Sequence, residues 1–255
     1  MMLTFHKRGS GPALILIHAF PFSSKMWSEL VSSLSDLDIS IATIDLPGFG
    51  STPNAEWTME SISQEIYEAI TSEGIERPIL CGLSMGGYIA LSYCKNYPLT
   101  VAGLILADTK AAADPEEVKQ DREKFAQDAL KRGAIAGTER NLAKMTSEWT
   151  KQNAPDVAKQ IESWMLEADP QAIANALRAM AGRPDTMEML ASISVPVLLI
   201  VGEEDKVTPP SEMEKMAAVL PNATVVKIKD ASHMSANEKP REFADAIREY
   251  FKLSS

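Results

Sequence analysis

The sequence predicts an α/β fold: a mostly parallel twisted sheet flanked by helices, with a helical segment inserted into it. Three observations carry that expectation. Short apolar runs alternate with helical patterns along most of the chain, as expected of parallel strands joined by crossover helices. The stretch from about 110 to 190 breaks the alternation and holds no strand-like run. Finally, "CGLSMGG" (81–87) sets Ser84 between glycines where an apolar run gives way to a helical one. Clustered glycines cost backbone entropy, so a tight strand-to-helix turn is needed to explain them.

The elements follow in order. "LTFHKRG" alternates its faces and reads as an edge strand, while "ALILIHA" (13–19), "ISIATIDL" (39–46) and "RPILCGL" (77–83) read as buried strands. Between them, "MESISQEIYEAITSEG" (59–74) spaces Ile62, Ile66 and Ile70 on one helical face and stops at Gly74. "GYIALSYCKNY" supplies the helix after Ser84, and "VAGLILAD" (101–108) the next strand. Inside the insertion, "DPEEVKQDREKFAQDALKRG", "PDVAKQIESWMLEA" and "DPQAIANALRAMAG" each open on Asp-Pro or Pro-Asp, a favourable helix start. "PVLLIVG" (196–202) and "ATVVKIK" (223–229) complete the sheet, and "REFADAIREYFKL" repeats the helical pattern. The expected division is a core of residues 1–109 and 191–255 with a helical cap at 110–190.

The 255 residues carry 25 basic and 35 acidic side chains, a formal charge of −10. That sign, with no cluster of Lys and Arg, argues against nucleic acid and against an anionic membrane surface as partners. "MMLTFHKRGSGP" lacks the apolar core of a secretion signal, and Ala13–Ile17 is too short to span a bilayer, so the expected location is cytoplasmic. Cys81 and Cys94 form no CxxC pair and read as small buried residues. No His/Cys/Asp cluster offers metal ligands and no Gly-x-Gly-x-x-Gly follows a strand, so no metal and no cofactor are expected. A small-molecule ligand is the expected partner, and a homo-oligomer stays open.

Ser84 is the first candidate for chemistry. A serine hydroxyl needs a base to become nucleophilic. Of His6, His18 and His233, only His233, in the polar loop "KDASHMSANEKP" after the last strand, is placed to reach the top of the sheet. His6 reads as a surface residue and His18 as a buried structural one. The imidazole in turn needs an acid. "VGEEDKVTPP" offers Asp205, with Glu203 and Glu204 as rivals, and Asp108 ends another strand. Asp205 is preferred because Ser84, Asp205 and His233 follow the chain order of this fold. Oxyanion donors are expected from the backbone N–H of Met85 and, in the loop "HAFPFSSKMW", of Phe20. Trp149, Trp164, Met145 and Met165 are the candidate pocket side chains in the insertion. Arg178 and Arg183 read as surface residues, with receipt of a substrate carboxylate as the alternative.

These pieces resemble the α/β-hydrolase superfamily over essentially the whole chain. "HAFPFSSKMW" is similar to its His-Gly-x-Pro loop, and "DLPGFGST" to its Asp-x-x-Gly-x-Gly-x-Ser segment. "GLSMGG", "GEEDKVTPP" and "ASHMSANEKP" match the nucleophile, acid and histidine segments in order. One departure is Ala19, where the family carries glycine; a left-handed backbone there would cost about 1 kcal/mol. The wording is most similar to carboxylesterases, cofactor-free haloperoxidase-like perhydrolases and 3-oxoadipate enol-lactonases. The resemblance implies a serine hydrolase acting on a small carboxylic ester or lactone through a covalent acyl-enzyme. The alternative within the superfamily is a cofactor-free haloperoxidase/perhydrolase or an enol-lactonase, and the alternative from another class is a hydrolase-like small-molecule receptor with vestigial activity.

Overall fold

The computed structural model describes residues 3–253. In chain order these form β1 (Thr4–Arg8), β2 (Ala13–Ile17), α1 (Ser28–Ser33), β3 (Ser40–Asp45), α2 (Met59–Ser72), β4 (Ile79–Leu83), α3 (Met85–Asn96) and β5 (Gly103–Ala107). Five helices follow without a strand: α4 (Glu116–Arg132), α5 (Ile135–Met145), α6 (Glu148–Asn153), α7 (Pro155–Leu166) and α8 (Pro170–Ala181). The chain returns to the sheet with β6 (Val197–Gly202), α9 (Pro210–Ala217) and β7 (Ala223–Ile228). It closes with α10 (Ser235–Glu238) and α11 (Pro240–Phe251).

The strands of the described residues lie in the order β1-β3-β2-β4-β5-β6-β7. From β3 to β7 every neighbouring pair is parallel; only β1 runs antiparallel, with Thr4 opposite Asp45. Sequence and burial agree on why. β3, β5 and β6 are buried along their whole length, which suits their near-continuous apolar runs, whereas polar β1 is half exposed at the edge. One apolar cluster, including Ile15, Ile66 and Leu104, covers one face of the sheet. A second, including Leu14, Trp27 and Phe243, covers the other.

Local signals fix the helices. Thr58 caps α2 by accepting from the Ser61 N–H at 3.1 Å, and the Ser61 hydroxyl accepts the Thr58 N–H at 2.9 Å. Ile62, Ile66 and Ile70 are buried. Asp169 caps α8 through the Ala172 N–H at 2.9 Å, ahead of Pro170. The inserted helices share the core rather than standing apart: Phe125 of α4 and Ile173, Leu177 and Met180 of α8 join the cluster built on the sheet. Among the described residues no helix is long and apolar enough to cross a membrane.

The strand order brings the loops after β2, β4, β6 and β7 to the same end of the sheet, where their side chains meet.

Candidate active site

Ser84 sits between β4 and α3 with φ 54° and ψ −110°, a left-handed conformation that a non-glycine residue occupies only when its surroundings hold it there. The holding bonds are visible. Its N–H donates to the Ala107 carbonyl at 2.9 Å. Its own carbonyl accepts from Gly87 N–H at 2.9 Å and from the Thr109 hydroxyl at 2.8 Å. Gly82 and Gly86 permit the turn by close approach. A Cβ on Gly82 would lie 2.1 Å from the Gly86 carbonyl oxygen, and one on Gly86 would lie 2.1 Å from that of Ile17. The contact with Ile17 also brings the start of α3 against the end of β2, beside the loop that carries Phe20.

His233, in the loop after β7, reaches both partners. Its Nε2 lies 2.9 Å from Ser84 Oγ, and its Nδ1 lies 2.9 Å from Asp205 Oδ2. All three side chains are largely buried. Asp205 also accepts from the Val207 N–H at 2.7 Å, the Thr208 N–H at 3.0 Å and the Thr208 hydroxyl at 2.8 Å. Burial alone would raise its pKa. The charge and hydrogen bond of His233, with the Thr208 bonds, outweigh burial and hold the carboxyl below its ordinary range. A carboxylate held in its charged form fixes the imidazole with Nδ1–H towards it and leaves Nε2 free to take the serine proton.

The rival acids occupy other roles. Asp108 is fully buried, accepts the Gly202 N–H at 2.9 Å and accepts a short bond from the Ser235 hydroxyl. Burial and the neighbouring Asp205 charge push its carboxyl well above the usual carboxylate range. It ties β6 to the start of α10 and makes no hydrogen bond to His233. Glu204 accepts from the Glu148 N–H at 3.2 Å instead.

The loop after β2 presents Phe20 at the same pocket as Ser84. Among the described residues neither the Phe20 N–H nor the Met85 N–H, the first of α3, finds an acceptor. Ala19 lies outside the left-handed region, so the expected strain at this departure from the family pattern is absent. Below it, His18 is fully buried; its Nδ1–H donates to the Ala19 carbonyl at 2.8 Å and its Nε2 accepts the Leu46 N–H at 3.1 Å. Asp45 fastens two further turns, accepting from the Ser24 N–H at 2.8 Å and the Ser51 N–H at 2.9 Å.

Ser84 and His233 open into a cavity of about 360 Å³, walled on its apolar side by Phe20, Phe125, Met145, Leu177 and Met180. Of the four pocket candidates in the insertion, Met145 lines this cavity. The other three are corrected by their surroundings. Trp149 is 37% exposed, with the Lys239 ammonium 3.3 Å over its ring. Trp164 lines a separate crevice with Phe22 and Glu167. Met165 is fully enclosed in the core. Arg183 is likewise buried rather than at the surface, in a bidentate pair with Asp114 at 2.6 and 2.8 Å, whereas Arg178 pairs with Glu123 on the surface.

A sequence profile of the alpha/beta hydrolase fold matches residues 12–240. The chain belongs to the alpha/beta hydrolase fold family. Among solved hydrolases of this fold it is similar to an esterase from Thermogutta terrifontis, determined with malate bound: 35% identity and a TM-score of 0.95, over 98% of this chain and 93% of that one. Two curated relatives match almost end to end. The 3-oxoadipate enol-lactonase 1 of Acinetobacter baylyi is 26% identical over 244 residues, 95% of this chain and 90% of the relative. The pimeloyl-[acyl-carrier protein] methyl ester esterase of Aeromonas hydrophila is 25% identical over 266 residues, covering 98% and 99%.

Three residues of this hydrolase-fold site escape a reading of the sequence. Thr208 has no signal beyond its place three residues after Asp205, within reach of a local side-chain bond to its N–H. Thr109 carried no signal beyond following a strand. Glu238 accepts from the Ser147 N–H and the Ser232 N–H, both at 2.7 Å, and so pins the His233 loop to the turn between α5 and α6. An acid near the start of a surface-type helix gives no hint of such burial.

Proposed function

We propose that the chain is a serine hydrolase that cleaves a small carboxylic ester or lactone through an acyl-enzyme. The observation that carries this reading is the continuous chain Asp205–His233–Ser84, with 2.9 Å at each link to the imidazole. In the proposed cycle His233 Nε2 takes the proton from Ser84 Oγ as that oxygen attacks the carbonyl carbon. The Met85 and Phe20 N–H groups receive the developing oxyanion, each donor being worth about 3–4 kcal/mol. His233 then hands the proton to the leaving alkoxide oxygen. Water, activated by the same imidazole, attacks the acyl-enzyme and releases the acid, returning the proton to Ser84. A lactone follows the same path, except that its leaving alkoxide stays tethered to the acyl group. The relatives named as esterases and as an enol-lactonase support this class of reaction. Residues 110–190 act in this reading as a cap whose helices α4, α5 and α8 shape the acyl site.

Turnover of p-nitrophenyl acetate tests the proposal. Steady hydrolysis is expected, falling on the order of 10⁴-fold or more in Ser84→Ala. Absence of turnover, together with ligand-induced stabilisation of the fold, would instead favour the receptor reading.

A further inference from the structure

We propose that the substrate carries a free carboxylate in addition to its ester, so that the preferred substrate is a hemi-ester of a dicarboxylic acid or a comparably anionic ester. This rests on the esterase reading above and narrows it. The whole chain carries a formal net charge of −10, yet the cavity that holds Ser84 and His233 is lined by five cations, Lys110, Arg122, Arg140, Lys144 and Lys206. Only two carboxylates, Asp114 and Asp121, line it with them, a surplus of three positive charges.

Ion pairing does not remove the surplus. Asp114 is shared: Lys110 lies 3.0 Å from its Oδ1, Arg122 lies 2.6 Å from its Oδ2, and the buried Arg183 grips both oxygens from behind. One carboxylate thus serves three cations and leaves that cluster positive by two. Asp121 pairs with Arg140. Lys144 and Lys206 are exposed and form no ion pair within 4 Å among the described residues; the opposing charge felt by Lys206 is the solvent-exposed Glu148, whose carboxyl it helps Lys151 to hold below the ordinary range. Both lysines line the same cavity as Ser84 and His233. Tyr88 adds a neutral donor. Its ring lies 4.1 Å beneath the Arg183 guanidinium, it lines the cavity, and its hydroxyl has no partner among the described residues.

A solvated surface would explain any one of these lysines. It does not explain their convergence on the one cavity that holds Ser84, on a protein whose acids outnumber its bases. A cleft lined by one sign of charge concentrates ligands of the opposite sign. A carboxylate suits this wall because the wall's ammonium and guanidinium groups already pair with one, as Lys110 and Arg122 do with Asp114. The cavity volume of about 360 Å³ falls near the small end of ligand sites, which favours a short diacid skeleton.

Two matched pairs of esters test this. Monomethyl adipate against dimethyl adipate places the carboxylate on the acyl side. Para-acetoxybenzoate against its methyl ester places it on the leaving side. In at least one pair kcat/KM should favour the anion by about tenfold or more, the scale of a hydrogen bond to a charged group. The preference should shrink as ionic strength rises from about 0.02 to about 0.5 M. In a Lys144→Gln, Lys206→Gln double variant the anion-to-neutral ratio should fall several-fold. Equal or better turnover of the neutral ester in both pairs, or a ratio unmoved by both salt and the double substitution, overturns the inference while leaving the esterase intact. Turnover of none of the four esters would strike the esterase reading itself.

Discussion

Acid should loosen the loop that carries Phe20, and His18 sets the pH window. The neutral ring uses both nitrogens: Nδ1–H donates to Ala19 and Nε2 accepts from Leu46. Protonating Nε2 would set two donors face to face. Burial is the main reason its pKa is lowered to about 4, with the Ala19 carbonyl and Asp45 opposing. In the unfolded chain the same imidazole titrates near 6.5. Because the folded value is the lower one, the unfolded chain takes up the proton first. Stability from this group is therefore complete above about pH 6.5 and declines as the pH falls towards 4. Integrating that linkage gives a loss of about 2 kcal/mol between pH 7.5 and pH 5, and about 3 kcal/mol by pH 4. Urea unfolding across this range, for the native chain and for His18→Gln, isolates the effect, since glutamine can accept the Leu46 N–H but does not titrate. The native chain should lose about 2 kcal/mol more than the variant on going from pH 7.5 to pH 5. Parallel pH profiles for the two proteins would refute the assignment.

Other substitutions separate the roles of neighbouring groups. Asp205→Asn should lower kcat on the order of 10⁴-fold by removing the charge that fixes the imidazole, whereas Asp108→Asn should stay within about tenfold; the reverse order in steady-state assays would transfer the acid role to Asp108. Gly86→Ala forces a Cβ to within 2.1 Å of the Ile17 carbonyl oxygen, a backbone atom with no room to yield. Its cost should be about 1–3 kcal/mol, visible as a lowered melting temperature, and an unchanged melting temperature would count against the close approach of α3 to β2. Asp114→Ala leaves Arg183, only 4% exposed, without its carboxylate and should destabilise by about 3–5 kcal/mol in urea titrations; a loss under about 1 kcal/mol would contradict a structural role for that pair.

Much of this architecture is legible in the sequence because parallel strands are buried on both faces. "PVLLIVG" and "VAGLILAD" announce themselves by continuous apolarity, and Ser84 by the two glycines that close packing demands. The edge strand at Thr4–Arg8 is equally plain, since its polar residues suit a rim. Other features are set by contacts distant in sequence. The division of α5 from α6 at Ser147 is only partly local: Ser147 caps α6 by accepting the Thr150 N–H at 3.0 Å, but the bonds that hold this turn in place run to Glu238 and Asp230, distant in sequence. Residue type alone points Trp149, Trp164 and Met165 to the pocket, but which face of an inserted helix turns inward depends on tertiary packing. Arg183 is a further case. Its partner Asp114 looks like a helix-start residue, and only the fold brings the two together.

The central claim is that the Ser84 hydroxyl becomes the covalent nucleophile. Rapid acid quench of the enzyme during turnover of p-nitrophenyl acetate, followed by peptide mass mapping, measures it directly. An acetyl group on Ser84 that forms within the burst and is missing in His233→Ala is the predicted result. Sustained hydrolysis with no acyl adduct on Ser84, or an adduct that forms equally fast without His233, would contradict the account.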